Sequence, residues 1–371
     1  MHEGERTASA GQAATVCQPD VWFGVMWAFA VAAIVVAQAV APEAQLRWGS
    51  GVLEQQRSWY ASAEARAVAD AVVLYQSAHG AWPKNTDLTK PPATAEALAR
   101  IQASGEANTI DNGATTLPMR FLALMVDATG QRRYREAFVR GFDYLLAAQY
   151  PNGGFPQFFP LRQGYYSRIT YNDNATINAL AVLRDAAAGR TPYGFVDQAR
   201  RVKARAAVAR GIDIILRTQV KQDGRLTAWC AQHDETTLAP AWGRAYEPPS
   251  LSGSESAGIV RFLQAIERPT PAVTAAIDGA MAWFRAVAIR GIRVEAFTGP
   301  DGTRDRRVVA DGAAPLLWAR FYELGTNRPI FLGRDSVVRY AFSEIEAERR
   351  NGYAYYGTWP AALLADARQA P

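Results

Sequence analysis

The chain shows mainly the spacing of apolar residues that is typical of amphipathic helices. Apolar positions recur every three or four residues in long, alanine-rich segments, as they do where one face of a helix is packed. This spacing predicts helices at 56–79, 117–129, 132–149, 174–188, 194–219, 254–266, 272–291, 313–324 and 359–368. Alternating strand-like patterns are few, and Ile292 to Phe297 is the best short candidate. The pattern therefore predicts an all-α protein.

A weak internal repeat groups these helices in pairs. Three predicted helices end in a glutamine that is followed by a glycine and an aromatic residue, at Gln76, Gln149 and Gln219, 73 and 70 residues apart. A fourth copy is expected at 351–360. A period near 70 residues holds one helical hairpin, and repeated hairpins bury a shared face while their loops line one surface. We expect an (α/α) toroid, an incomplete barrel of helical hairpins with long loops and short strands lining one groove; the alternative is a plain helical bundle.

The N-terminal region has the character of an export signal. Residues 21–41 carry no charge and are long enough to span a bilayer as a helix. Ala37-Gln38-Ala39 is a small-x-small cleavage pattern, although Arg6 is the only strong positive charge before the apolar run. We expect residues 1–39 to be a signal peptide, or alternatively a membrane anchor, and residues 40–371 to form a single catalytic domain. The protein is then secreted, with a periplasmic or membrane-anchored location as alternatives.

Composition and charge narrow the kind of partner. Apolar residues make up 49% of the 371, enough for a large core. The net charge is +5, and because residues 1–39 contribute −2, the remainder carries +7. This mild basicity suits an acidic polymer, whereas the Lys/Arg-rich runs typical of nucleic-acid binding are absent from the sequence. Cleavage of the leader would leave Cys230 as the only cysteine, so we expect no intrachain disulfide. We also expect a monomer.

Three acidic, amide-flanked segments are candidates for a metal site. They contain Asp111 with Asn112, Asn172 with Asp173, and Asp234. The first two precede predicted helices, where the same residues also serve as helix caps. Their oxygens are the ligands that calcium prefers, but no contiguous calcium-loop spacing is present, so such a site would have to be assembled from separate loops.

Arginines also lie in loop-like contexts. Arg244 belongs to the segment 232–256, which is rich in ionisable, aromatic and hydroxyl side chains, and Arg320 and Arg334 bracket a predicted turn. Guanidinium groups bind carboxylates in a bidentate manner. The alternative is that each arginine pairs with a structural acid, such as Glu323 or Asp335, and that Arg244 forms a salt bridge with Glu247.

Several motifs together resemble those of pectate lyases of polysaccharide lyase family ten. The resemblance extends from about residue 56 to 361, with two departures, Phe155 where a tryptophan is common and Gly243 where an alanine is common. The motifs are Trp82-Pro83-Lys84-Asn85, Tyr150-Pro151-Asn152-Gly153-Gly154-Phe155-Pro156-Gln157, Tyr171-Asn172-Asp173, Ala231-Gln232-His233-Asp234 and Arg244-Ala245-Tyr246-Glu247-Pro248-Pro249-Ser250.

The resemblance implies an (α/α) toroid, a groove for polygalacturonate and calcium-dependent β-elimination. It implies that Arg244 is the base and that Asp111 and Asp173 surround calcium and the substrate uronate. The implied substrate-binding residues are Arg320, Arg334, Asn112, Lys84 and Asn172, the last two being weaker candidates together with Asp234.

The base is the demanding part of this hypothesis. Arginine is normally protonated, so a basic Arg244 needs a pKa lowered by burial and by nearby positive charge. Three alternatives stay open: a glycoside hydrolase that uses Asp173 with Glu247 or Glu255, a non-catalytic protein that binds acidic polysaccharide, and a helical interaction scaffold. The sequence leaves open whether Asp234 or Glu255 is functional.

Overall fold

The computed structural model describes residues 46–366. The predictions for residues 1–39, including Cys17, lie outside this range. Helices dominate, and most begin and end close to the predicted positions; α2 and α9 were not predicted. Their bounds are α1 Ala63–Leu74, α2 Ala95–Ala103, α3 Thr116–Thr129, α4 Arg132–Ala148, α5 Ala175–Ala188, α6 Gln198–Thr218, α7 Glu255–Gln264, α8 Pro271–Ala286, α9 Ala347–Gly352 and α10 Ala361–Asp366.

The central helices form antiparallel hairpins arranged in two rows. The pairs α3/α4, α5/α6 and α7/α8 contact each other along their lengths. Helices α3, α5 and α7 also contact one another in an inner row, whereas α4, α6 and α8 form an outer row that α1 joins beside α4. The inner helices are mostly apolar, and more than half of the residues in each are buried, because they pack on both rows. This arrangement confirms the predicted (α/α) toroid.

Equivalent glutamines join each outer helix to the next. The Nε2 atom of Gln76 donates to the carbonyls of Gly80 and Ala137 at 2.8 Å each. That of Gln149 donates to Gly153 at 3.0 Å and Ala207 at 2.8 Å, and that of Gln219 donates to Thr227 at 2.9 Å and Ala276 at 2.8 Å. Each amide thus closes its own loop and satisfies a carbonyl in the following outer helix. We call these three side chains the glutamine clasps.

Large aromatic residues repeat in the same units. The indole N–H groups of Trp82, Trp229 and Trp318 donate to the main-chain carbonyls of Val72, Ile215 and Phe284 at 2.7, 2.7 and 2.9 Å. Phe155 occupies the corresponding place in the second unit and is fully buried. The fourth aromatic of the series is therefore Trp318, so the prediction of a fourth copy at 351–360 was wrong.

The segment 313–324 is not helical, contrary to the prediction. It forms two short strands, β8 (Trp318–Ala319) and β9 (Phe321–Tyr322), and all four of their residues are buried. A short apolar run of this kind cannot be assigned to helix or strand by periodicity alone. Strand β8 pairs with β12 (Tyr356–Gly357) and β9 pairs with β5 (Leu251–Ser252), which satisfies main-chain hydrogen-bonding groups of both strands.

The remaining strands are short, antiparallel and paired in twos. The longest pair is the hairpin of β6 and β7, which confirms the strand predicted from Ile292. The strands are β1 Ile169–Thr170, β2 Lys221–Gln222, β3 Arg225–Leu226, β4 Gln232–His233, β5 Leu251–Ser252, β6 Ile292–Thr298, β7 Arg304–Ala310, β8 Trp318–Ala319, β9 Phe321–Tyr322, β10 Phe331–Leu332, β11 Val338–Arg339 and β12 Tyr356–Gly357. Within residues 46–366, no helix is both long and apolar enough to cross a membrane.

Candidate active site

The inner helices bring acidic residues to one end of the toroid. A short turn at Asp111–Gly113 leads into α3, a similar turn at Asn172–Asn174 leads into α5, and α7 begins at Glu255. The two turns contact each other, and the second also contacts α7. Helix N-termini favour negative charge because their first N–H groups are unpaired. The fold therefore assembles carboxylates from distant parts of the sequence.

The two turns have the same local structure. The Thr115 hydroxyl donates to the carbonyl of Thr109 at 2.7 Å, and the Thr176 hydroxyl donates to that of Thr170 at 2.5 Å. In each turn, the residue three positions after Thr109 or Thr170 has a left-handed backbone conformation, with φ of 49° at Asn112 and 50° at Asp173. Asparagine and aspartate tolerate this conformation better than other non-glycine residues. The residue equivalent to Asp173 is therefore Asn112.

Asp111 is buried and is paired within the protein. Its Oδ2 atom accepts hydrogen bonds from Lys84 Nζ at 2.8 Å and from Gln157 Nε2 at 2.7 Å. Its Oδ1 atom accepts the backbone N–H of Asn112 at 3.1 Å. Lys84 and Asn112, both predicted to bind substrate, thus lie beside Asp111, and the Asn112 side chain is exposed.

Arg320 links the other acidic residues. Its Nη2 atom lies 2.9 Å from Asp173 Oδ1 and 2.5 Å from Glu255 Oε1, and it also donates to Asn172 Oδ1 at 3.3 Å. The Arg320 side chain is only 8% exposed, whereas Asp173 is 35% exposed. Asn172 is buried and donates to Asp173 Oδ2 at 2.7 Å. The predicted residues Asp173, Asn172 and Arg320 are therefore in direct contact.

The electrostatic environment keeps Arg320 cationic. Burial alone would lower the pKa of its guanidinium, but the carboxylates of Glu255 and Asp173 and the neighbouring Tyr353 outweigh burial and raise it. The partners are not Glu323 or Asp335, the structural acids considered from the sequence. Arg320 neutralises two carboxylates that would otherwise lie close together without compensation.

Arg244 forms a similar pair with Glu247, on the side of the candidate site that we call the wall. Its Nη2 atom lies 2.5 Å from Glu247 Oε1, and its backbone N–H donates to Glu247 Oε2 at 2.9 Å. The Glu247 side chain is 3% exposed, whereas that of Arg244 is 39% exposed. The hydroxyl of Tyr353 also donates to Glu247 Oε1, at 2.9 Å.

The pairing with Glu247 changes what was expected of Arg244. Burial lowers the pKa of the Arg244 guanidinium, but Glu247 and the nearby Tyr353 and Tyr246 outweigh it, so the net pKa is raised. Burial raises the pKa of Glu247, but the hydrogen bonds and the charge of Arg244 lower it more strongly, so the net pKa is lowered. The lowered pKa that a basic arginine needs is therefore absent from this arrangement of the residues.

Arginines and tyrosines alternate along the wall. The Tyr353 ring lies 4.8 Å from the guanidinium carbon of Arg320 and 5.7 Å from that of Arg244. The Tyr246 ring lies 5.0 Å from that of Arg244 and 5.8 Å from that of Arg334. These distances are within cation–π range. We call Arg320, Tyr353, Arg244, Tyr246 and Arg334 the arginine–tyrosine row; because Arg320 contacts Asp173, the row joins Arg244 to the acidic residues.

Arg334 is the open end of this row. Its side chain is 64% exposed and pairs with the exposed Glu348 at 3.0 Å. Ion pairs of this kind are screened by water and exchange easily. Arg334 is thus free to turn towards an anionic ligand, unlike the buried Arg320.

Asp234 has a structural environment. It accepts the backbone N–H groups of Thr236 at 3.0 Å and Thr237 at 2.8 Å, and it pairs with Arg168. These bonds lower the pKa of Asp234, the backbone N–H of Thr237 being the largest cause. Its oxygens stabilise a turn, and these partners do not belong to the arginine–tyrosine row.

The oxygen donors suit a hard cation that is shared with a ligand. Asp173 offers a partly exposed carboxylate, and Asn112 offers an exposed amide in the equivalent turn. Calcium takes six to eight oxygens, and residues 46–366 contain no group of three or more His, Cys, Asp or Glu side chains suited to hold a metal. The residues fit calcium only if a bound ligand completes its coordination.

Two further residues of this site were not assigned from the sequence. Glu255 had been left open; it is the first residue of α7, and the hydroxyl of Ser252 donates to its carboxylate. Tyr353 was not singled out. It follows a glycine in a tyrosine-rich segment, which gave no sign that its ring would touch two arginines far away in the chain.

Comparisons with known proteins agree with this geometry. The sequence model of the family described as pectic acid lyase matches residues 76–364. A family 10 polysaccharide lyase from Cellvibrio cellulosa superposes with a TM-score of 0.72 at 34% identity, covering 84% of this chain and 94% of the other. A mutant of that family 10 lyase, in complex with trigalacturonic acid, superposes with a TM-score of 0.71 at 34% identity, covering 84% and 96%. Curated proteins give no match. The chain therefore belongs to the pectic acid lyase family and is a pectate lyase with the toroid of family ten polysaccharide lyases.

Proposed function

We propose that the enzyme cleaves de-esterified polygalacturonate by calcium-dependent β-elimination at the wall formed by Asp173 and the arginine–tyrosine row. One observation carries the proposal: a partly exposed carboxylate, Asp173, lies on the same wall as the partly exposed Arg244 and the exposed Arg334. A polyuronate presents a carboxylate on every sugar, and arginines bind such groups strongly. The structural relative that was solved with trigalacturonic acid supports this class of substrate.

The chain's own residues have distinct parts in binding. Arg334 exchanges Glu348 for a uronate carboxylate, since both partners of its present pair are exposed. Arg320 stays buried and holds Asp173 in place, so it orients the site instead of contacting sugar directly. Lys84 and Asn112 extend the polar surface beyond Asp111, while Asn172 fixes the second oxygen of Asp173.

Asp173 is proposed as the main protein ligand of calcium, with Asn112 beside it. Asp111 contributes negative charge, and its carboxylate is held by Lys84 and Gln157. When bound, calcium would neutralise the uronate carboxylate and so make the proton on C5 more acidic. Substrate oxygens would have to complete the coordination, so metal and substrate binding should be cooperative.

Arg244 is proposed as the base that removes the C5 proton, after which O4 leaves. Its pair with Glu247 holds it cationic in the free enzyme. A cation held at Asp173 would oppose that effect once substrate is bound. The rate should accordingly rise with pH.

The Glu247 pair also favours a second role for Arg244. A cationic guanidinium would stabilise the negative charge that develops on the uronate after proton loss. In that role Arg244 never loses its proton, and the base is another group or water. The pH dependence of catalysis distinguishes the two roles, as argued in the Discussion.

A glycoside hydrolase is less consistent with the site. Glu255 and Glu247 are buried and bound to arginines, whereas an inverting or retaining hydrolase needs an acid that carries a proton near the sugar. The pKa of Glu247 is lowered, the opposite of what a general acid requires. The carboxylates therefore serve better as partners of arginine.

Product chemistry tests the proposal directly. Incubation with de-esterified polygalacturonate and calcium should give unsaturated, ultraviolet-absorbing ends. Saturated reducing ends would indicate a hydrolase, and binding without any product would indicate a non-catalytic protein. We further propose that the enzyme is secreted and acts as a monomer, because its substrate is a polymer and residues 21–41 have the character of an export signal.

A further inference from the structure

The segment before α1 lies outside the match to the family model, yet it reaches the end of the candidate site. The match begins at residue 76. Two short 3-10 turns, Ser50–Leu53 and Trp59–Ala61, pack against α3. Arg47 and Trp48 precede the first turn and thereby lie near the start of α3, next to the Asp111–Gly113 turn.

A cavity of about 430 Å³ lies between this segment and that turn. Its size is within the ~300–1,000 Å³ that is usual for small-molecule sites. Arg47 and Trp48 form one side, Lys84 and Asn85 form another, and Asn112 with Leu117 closes the side towards α3. Lys84 and Asn112 both contact Asp111, so the cavity adjoins the turn that carries Asp111.

The position of Trp48 is fixed by two contacts. Its ring packs at 86° on that of Phe121 in α3, with the centroids 5.8 Å apart. The carboxylate of Asp87 also accepts the backbone N–H of Trp48. Burial raises the pKa of Asp87, but the N–H groups of Thr89 and Trp48 and the Thr89 hydroxyl lower it more strongly, so the net pKa is lowered. The Asp87 carboxylate is thus ionised, and its oxygens are occupied by donors of the protein.

One cation of the cavity is placed to bind an acidic sugar. Lys84 is already paired with Asp111 and Asp87 is an acid, which leaves Arg47 as the available cation among the lining residues. Arg47 is exposed, so its guanidinium can reach a carboxylate without losing a buried partner. The amides of Asn85 and Asn112 can bind hydroxyl groups, and the Trp48 ring offers an apolar surface to the C–H face of a sugar.

We propose that this cavity is an additional subsite that binds one galacturonate unit of a long substrate, with Arg47 on its carboxylate. The proposal rests on the proposed function, because it extends the same groove beyond Asp111. It distinguishes this chain by a subsite that is built partly from residues preceding the family match. Substrate chains long enough to span from Arg244 to Arg47 are bound more tightly than shorter ones.

The experiment compares oligogalacturonates of three to eight units. Arg47→Ala should raise KM about tenfold on the longest substrates, which corresponds to loss of one charge-assisted hydrogen bond. It should leave kcat unchanged at every length and leave KM unchanged on trigalacturonate. Trp48→Phe, which keeps an aromatic ring on Phe121, should give a smaller loss with the same dependence on length.

Arg57→Ala is the matched control. Arg57 belongs to the same segment and is highly exposed, but it pairs with Asp127 at 3.5 Å and does not line this cavity. Its removal should leave KM unchanged at every length. An equal rise in KM for Arg47→Ala at all lengths, or no rise on the octamer, would overturn the subsite.

A binding measurement separates this proposal from the proposed function. Calorimetric titration with the same oligogalacturonates reports affinity whether or not any bond is cleaved. If the wild-type protein binds long chains more tightly and Arg47→Ala abolishes only that gain, the subsite stands even without turnover. If wild-type affinity does not increase with length, the subsite fails even if the enzyme is an active lyase.

Discussion

Arg244 and Glu247 form a closed pair in which one carboxylate holds both the side chain and the backbone of the arginine. The side-chain distance is 2.5 Å and the backbone hydrogen bond is 2.9 Å. Tyr353 adds a third hydrogen bond to the same carboxylate. The geometry of Arg244 is therefore fixed with precision, at the cost of a raised pKa.

Replacing Glu247 should shift the pH dependence of catalysis if Arg244 is the base. Glu247→Gln removes the charge that stabilises the guanidinium, so the pKa of Arg244 should fall and the rising limb of the kcat profile should move to lower pH. The shift is measured from initial rates across the alkaline range with saturating substrate and calcium.

Glu136→Gln is the control for this shift. Glu136 pairs with Arg132 on the exposed face of α4, so the profile should not change. A Glu247→Gln enzyme with an unshifted rising limb would mean that Arg244 stays protonated and acts as a cation. Arg244→Lys would then retain part of the activity, whereas for a base we expect it to be nearly as damaging as Arg244→Ala.

Arg320 and Arg334 should respond differently to truncation. Arg320→Ala leaves the carboxylates of Asp173 and Glu255 without their buried cation, so the free energy of unfolding should fall by about 3–5 kcal/mol. Arg334→Ala removes an exposed pair and should change it by less than about 1 kcal/mol, while weakening kcat/KM on polygalacturonate. Denaturant titrations and kinetics measure the two effects.

A stable Arg320→Ala protein would contradict the assignment of Arg320 as a structural cation. Unchanged kcat/KM in Arg334→Ala would show that its only function is the pair with Glu348. Arg217→Ala, which removes another exposed arginine paired with an aspartate on α6, is a suitable control for both measurements.

The two aspartates should differ in their effect on calcium dependence. Chelation with EGTA should abolish turnover, and added calcium should restore it. Asp173→Asn should raise the calcium concentration needed for half-maximal rate more than Asp111→Asn does, because Asp173 is partly exposed and Asp111 is buried against Lys84. Full activity in excess chelator would refute the metal, and equal effects of the two variants would refute their ranking.

His233 should make the protein sensitive to acid. Burial lowers the pKa of His233 to about 4, against about 6.5 for an unfolded histidine, although hydrogen bonds to the backbone oppose this. The unfolded state therefore binds the proton more readily. The contribution to stability is complete above about pH 6.5 and is lost as the pH falls towards 4, by about 3 kcal/mol in all.

Unfolding free energies between pH 4 and 7 measure this loss. His233→Gln, in which the amide can still donate to the carbonyl of Leu238, should flatten the dependence. His79→Gln, which alters an exposed histidine, should not. An unchanged slope in His233→Gln would show that other groups cause the acid sensitivity.

The helices and the repeat could be predicted from the sequence because both are local. Apolar spacing marks a helix wherever one face is buried, and the recurring glutamines marked units that the structure joins through Gln76, Gln149 and Gln219. The strands near Trp318 could not be predicted in this way. Their conformation depends on pairing with Leu251–Ser252 and Tyr356–Gly357, which are distant in sequence.

The sequence predicted which residues belong to the candidate site, but not which of them contact each other. The motifs singled out Asp173, Arg320 and Arg244, which the fold brings onto one wall. The partners of Arg320 lie 147 and 65 residues away, and a spacing pattern carries no information on such contacts. The equivalence of Asn112 with Asp173 depends on a left-handed backbone that becomes evident only in the folded turn.

The glutamine clasps have a consequence for how the protein unfolds. In a linear repeat protein a terminal unit can detach while its neighbours stay folded. Here the removal of one hairpin would strand a buried amide in one outer helix and free a carbonyl in the next, each at a cost of about 1–3 kcal/mol. The toroid should therefore unfold in a single transition, because each of these hairpins depends on its neighbour for a hydrogen bond that a buried glutamine needs.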